Sequence, residues 1–145
     1  MQEVRQIIVP VDFQQHTEEL AEYALGLATK LEAKVVFYHV VENVVYYSDF
    51  IPTNYSMDRE ETFVHAQQKM SSLVQDSKNK WMQCSGQVGR GDVVESILEY
   101  SQESDLIVMG THGARGIEKI LLGSVAERII KRAKCPVLIV KMKKK

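Results

Sequence analysis

Three glycines and a serine near the carboxyl end have the spacing best suited to chemistry. Gly110-Thr111-His112-Gly113 is followed, after nine residues, by Gly123-Ser124. Glycine has no Cβ, so the backbone N–H groups around it can approach an anion closely. A helix starting at Ser124 would add unpaired amides and a partial positive charge, the two features that hold phosphate at helix starts. The Ser124 hydroxyl could cap that helix and reach a phosphate oxygen as well. His112 and Arg115 could add charge within the loop. The same glycines also suit a helix end, a turn and a helix start, so spacing alone leaves a purely structural role open.

The second candidate is Asp12, which closes the run RQIIVPVD over Arg5–Asp12. A helix N-terminal carboxylate is its plain structural alternative. Several familiar chemistries lack their residues. No GxxxxGK[ST] is present, and VPVDFQQH stands where a dinucleotide fold would carry GxGxxG after its first strand. Gly86, Gly89 and Gly91 have the wrong order of spacings for that motif and read as a loop. His16, His65 and His112 have no metal-like spacing with Cys84 or Cys135. Ser124 lacks the G-x-S-x-G elbow of a nucleophilic hydrolase. His39, at a strand end, reads as structural.

These residues need elements to position them. Arg5–Asp12 and Lys34–Val41 are short β-branched runs suited to strands buried on both faces. Between them, His16–Ala33 places Leu20, Ala21, Ala24, Leu25, Ala28 and Leu31 at helical spacing, with Thr17, Glu18 and Glu19 at its start. Glu42–Met57 breaks the rhythm and reads as a long excursion, its Tyr46, Tyr47 and Tyr55 serving as loop packing or as a lid. A helix is predicted from Asp58 to about Lys80, a weaker strand over Trp81–Val88, and a helix capped by Asp92 through Glu103. Asp105–Gly110 (DLIVMG) reads as a fourth strand, Ser124–Ala133 as a helix and Pro136–Lys141 (PVLIVK) as a fifth strand.

Five strands alternating with helices predict one α/β domain over 1–145, an open parallel sheet with helices on both faces. In such sheets ligands bind beyond the carboxyl ends of the strands, where the winding direction reverses. With the first strand central, that point lies between Asp12 and Gly110.

The bulk composition narrows the function classes. A 145-residue chain fits one continuous core. With a net charge of -1, nothing draws the whole chain to nucleic acid or an anionic membrane. The basic tail Lys141–Lys145 reads as solvated. Two cysteines are too few for a disulfide framework. No apolar run reaches membrane length, and Glu3 and Arg5 before the first strand argue against a signal peptide. A soluble cytoplasmic protein is expected.

Taken together, Gly110-x-x-Gly113, nine residues, then Gly123-Ser124 resembles the ATP-binding signature of the universal stress protein family. The likeness extends over Val9-Pro10-Val11-Asp12, Tyr38-His39-Val40, Asp105–Gly110 and Leu122–Val140, in the same order. It implies strand order 3-2-1-4-5, a homodimer, and ATP as ligand with Mg²⁺. It also implies that Pro10, Asp12 and Val40 line the adenosine end and that Met109 and Gly110 pass beneath the ribose. Gly113, Gly123, Ser124 and Val125 would hold the phosphates. Ala126 stands where some members place a hydroxyl. The last strand, apolar over Val137–Val140 and at a sheet edge, would pair across a two-fold axis.

The function expected is that of a nucleotide-dependent regulatory protein of the stress response, with at most slow hydrolysis because no base for a water is evident. Three alternatives stay open: an ATP-hydrolysing or nucleotide-activating enzyme, a nucleotide-free dimeric interaction module, and a flavodoxin-like electron carrier.

Overall fold

The computed structural model describes residues 3–42, 55–111 and 122–142. His112, Gly113, Arg115, residues 43–54 and the last three lysines lie outside them. In chain order the elements are β1 (Gln6–Pro10), α1 (Thr17–Leu31), β2 (Lys34–Glu42), α2 (Tyr55–Lys78), β3 (Cys84–Gly91) and α3 (Val93–Tyr100). A 3-10 turn (Ser101–Glu103), β4 (Leu106–Gly110), α4 (Ser124–Arg132) and β5 (Val137–Val140) follow. The strands form one parallel sheet in the order β3-β2-β1-β4-β5, the predicted topology.

The alternation of side chains along each strand builds two cores. Ile7 and Val9 of β1 and Leu106 and Val108 of β4 face the α1 side, with Leu20, Ala24 and Met70. Ile8, Ile107 and Met109 face the α3 and α4 side, with Val94, Ile97, Ala126 and Ile129. Thus α1 and α2 cover one face, and α3 and α4 cover the other. β1 and β4 are neighbours in parallel register, Ile7 opposite Leu106. Their alignment is pinned at the opposite end by Asp105, whose Oδ2 accepts from the amides of Arg5 and Gln6 at 2.8 and 3.0 Å.

The boundaries differ most from the sequence reading around α2 and β3. β2 runs through Glu42 and α2 begins at Tyr55, so both ends of the expected excursion are regular structure. β3 starts at Cys84, three residues later than predicted, because a turn follows α2 and Trp81 is spent elsewhere. Lys80 N–H donates to Ser77 O, and the Trp81 indole N–H donates to Ala33 O at 2.8 Å. Gly86 and Gly89, read as the exit of that strand, lie inside it.

The reason for Gly86 is close approach. A Cβ there would lie 2.5 Å from Met70 Cγ and Sδ and 2.8 Å from Val74 Cγ2. At Gly86 α2 rests directly on the strand backbone. Gly86→Ala should therefore cost about 1–3 kcal/mol, the usual cost of overpacking a filled site, read from the urea midpoint. An unchanged midpoint would mean that α2 can lift from β3 at no cost.

Candidate functional site

A cavity of about 780 Å³ opens where the chain leaves β1 and β4 for opposite faces of the sheet. Pro10, Asp12, Val40, Met109, Gly110, Gly123, Ser124, Val125 and Ala126 all line it. These are the sequence candidates within the described residues; Gly113 lies outside them. Its size is that of a small-molecule site.

The β1 side is built around Asp12. Its Oδ1 accepts from Gln14 N–H at 2.9 Å, a local turn that leads the chain toward α1 and engages one carboxylate oxygen. Phe13 takes a left-handed backbone, φ 59°, which is strained for a non-glycine residue and sits beside the cavity. Its ring packs on His39 at 4.7 Å. His39 Nδ1 meets Val11 O at 2.7 Å, so that nitrogen carries a proton and the ring is held by the backbone.

Opposite lies the start of α4. Gly123 is its N-cap and makes no side-chain cap; Ser124 is the first helical residue. This corrects the expectation that Ser124 caps the helix. The first intrahelical donor is Glu127 N–H to Gly123 O at 3.0 Å. The amides of Ser124, Val125 and Ala126 therefore have no acceptor within the helix. Gly123 differs from its expected role too. Its N–H already donates to Thr111 O at 2.8 Å, so Gly123 offers space for close approach rather than a free amide.

The α1 start faces the same cavity through His16, Thr17 and Leu20. His16 is its N-cap, again without a side-chain cap, and Glu18 and Glu19 occupy the first turn. His16 Nδ1 lies 3.4 Å from Glu19 Oε2, outside hydrogen-bond geometry. The floor includes Tyr38, whose ring stacks on Tyr100 at 4.4 Å. Burial, and then the neighbouring Tyr100 and Glu99, push the Tyr38 phenol above its ordinary range, so it stays protonated at neutral pH. A second cavity, between the β1–α1 connection and α2, shares Asp12 and His39 but reaches no helix start of the α4 kind. The first cavity gathers main-chain donors without intrahelical acceptors, and it is the better candidate.

The comparisons with known proteins now bear on this geometry. Residues 3–141 match the sequence profile of the Universal stress protein family. The chain belongs to that family. Universal stress protein MJ0531 of Methanocaldococcus jannaschii is 32% identical to it, over 97% of this chain and 84% of that one. The solved structure of MJ0577 from the same organism aligns with a TM-score of 0.81 at 26% identity, covering 99% of both chains. More distant members share the fold. One from Archaeoglobus fulgidus, solved in complex with dAMP, has a TM-score of 0.67 at 20% identity, covering 97% of this chain and 100% of that one. Two others, with TM-scores of 0.66 at 18% and 19% identity, hold AMP, in the Arabidopsis thaliana protein, and cAMP.

Within this universal stress protein, His16, Thr17, Tyr38, Thr111 and Met142 also line the cavity and were not singled out in the sequence as site residues. Thr111 and Met142 meet across 31 positions, which no local pattern reveals. Tyr38 was legible only as a strand residue.

The α4 wall is braced from α3. Arg132 Nη1 and Nη2 donate to Glu95 Oε1 and Oε2 at 2.5 and 3.2 Å. Arg132 holds the Glu95 carboxyl below its usual range. A carboxylate with a lowered folded pKa stabilises above its unfolded pKa, and that contribution is lost as pH falls through the folded value. The pair is exposed and screened by salt. Glu95→Gln should thus lower the melting temperature slightly at pH 7 and low salt, with no difference once the Glu95 carboxyl is protonated in both the folded and the unfolded chain. A difference that persists unchanged in acid would contradict the assignment.

Proposed function

We propose that this universal stress protein binds an adenine nucleotide, ATP foremost, in the cavity between β1 and β4, and acts as a nucleotide-dependent regulator in the stress response. One observation carries the reading. Amides without intrahelical acceptors at the start of α4 face a carboxylate, Asp12, across a cavity of nucleotide size at the point where the sheet's winding reverses. The adenine nucleotides held by other members of the family support it.

In this reading Pro10, Asp12 and Val40 line the adenosine end, with Met109 and Gly110 beneath the ribose. The amides of Ser124, Val125 and Ala126 and the Ser124 hydroxyl receive the phosphates, with Gly113 completing the loop. Mg²⁺ would arrive on the phosphates. Asp12 and Glu42 are the carboxylates lining the cavity, and no group of three or more metal-ligating side chains occurs among the described residues. Such a site suits binding and slow turnover, since phosphoryl transfer needs a placed base as well as charge neutralisation.

The edge strand β5, with Val137, Leu138 and Ile139 only half-buried, is the surface for a homodimer. Both thiols, Cys84 and Cys135, are free and pushed up in pKa by burial, as suits a reduced cytoplasm.

Two substitutions separate the ends of the site. Gly123→Val adds a branched side chain where phosphate must approach, and calorimetry should find ATP affinity about tenfold lower or worse, the scale of one lost charge-assisted hydrogen bond. Asp12→Ala should weaken adenosine and ATP by the same factor. Wild-type affinity in Gly123→Val would remove the phosphate site, and a loss confined to ATP in Asp12→Ala would place Asp12 at the wrong end.

A further inference from the structure

The chain does not leave the molecule after β5. Met142, two residues beyond the strand, is 6% exposed and belongs to the core on the α1 side. Its N–H donates to Thr111 Oγ1 at 3.2 Å. Its side chain lies along Gly110, where a Cβ would be 3.3 Å from Met142 Cγ and 3.4 Å from Cε. Met142 and Thr111 both line the cavity.

Thr111 uses every polar group it has. Its N–H donates to Val140 O at 3.1 Å, its hydroxyl accepts from Met142, and its carbonyl accepts from Gly123 N–H at 2.8 Å. A threonine serving only a turn would bond to its own neighbours. Here all three partners are distant in sequence. They tie the end of β4 to the end of β5, to the tail and to the start of α4.

We propose that the tail is a working wall of the nucleotide site, in which Met142, positioned by Thr111, makes the apolar contact with the sugar and base of the ligand. The proposal rests on the nucleotide reading above. Gly110 brings no side chain to the end of β4, and Met142 fills that place from beyond β5. A thioether chain is unbranched and polarizable, so it follows the face of a ring well. It offers nothing to a phosphate, whose desolvation against it would be costly. The contact therefore belongs to the adenosine part, which adenosine, AMP and ATP have in common.

The test is calorimetric titration of the full chain with adenosine, AMP and ATP. Met142→Ala should weaken all three by a common factor of about tenfold, the scale of one to two buried methylenes. Met142→Leu should recover most of it. Thr111→Val, close in shape to threonine but without the acceptor for Met142 N–H, should behave like Met142→Ala, and Thr111→Ser should recover. A ligand-free thermal melt of each variant separates lost binding from lost folding. If Met142→Ala does not fold, the Thr111 pair makes the same comparison. Wild-type affinities in Met142→Ala or Thr111→Val, or a loss confined to ATP, would overturn the proposal and leave nucleotide binding standing. A wild-type chain that binds none of the three fails the nucleotide reading first.

Discussion

Two parallel strands lie side by side at the centre of the sheet, and the chain leaves them in opposite directions. β1 feeds α1 on one face, while the chain beyond β4 returns as α4 on the other. Among the described residues the gap between the strand ends is left as a cavity. The cavity is therefore a consequence of topology, and side chains decide only what it can hold. Asp105 secures the arrangement from below by accepting from the first amides of β1. The buried run Ile7-Ile8-Val9 secures it from within, each residue being fully excluded from solvent.

Two helices open onto the cavity. The start of α4 has three amides without intrahelical acceptors and no capping side chain. The start of α1 has two acidic residues in its first turn. An anion is favoured at the first. In the proposed reading a nucleotide would lie with its charged end at the start of α4 and its neutral end near Asp12 and the apolar residues of the strand ends. Thr111, in the cavity wall, meets the last strand, Met142 and the start of α4.

Most of the architecture was legible because it depends on local patterns. Strand runs such as Ile7–Val9, the helical spacing of α1 and the Asp92 cap, which accepts from Glu95 N–H at 2.9 Å, are written within a few residues each. What was not legible depends on distant partners. The glycines of β3 looked like a loop because Met70 and Val74, which exclude a side chain at Gly86, lie on the preceding helix. Ser124 looked like a cap because serine favours that position, yet the cap falls one residue earlier, at Gly123, whose N–H donates to Thr111 O. Asp12 and the glycine spacing could be read as candidates from the sequence, but the tail contribution of Met142 needed the fold to bring it back over Gly110.

The central claim is that this cavity, and not the neighbouring one against α2, receives an adenine nucleotide. The most direct measurement is an amide NMR titration of the full chain with AMP. The account predicts saturable shifts at Asp12, Val40, Gly110 and Ser124–Ala126. Saturable shifts confined to α2 residues such as His65 and Lys69, which line the second cavity, or no shifts at millimolar AMP, would contradict it.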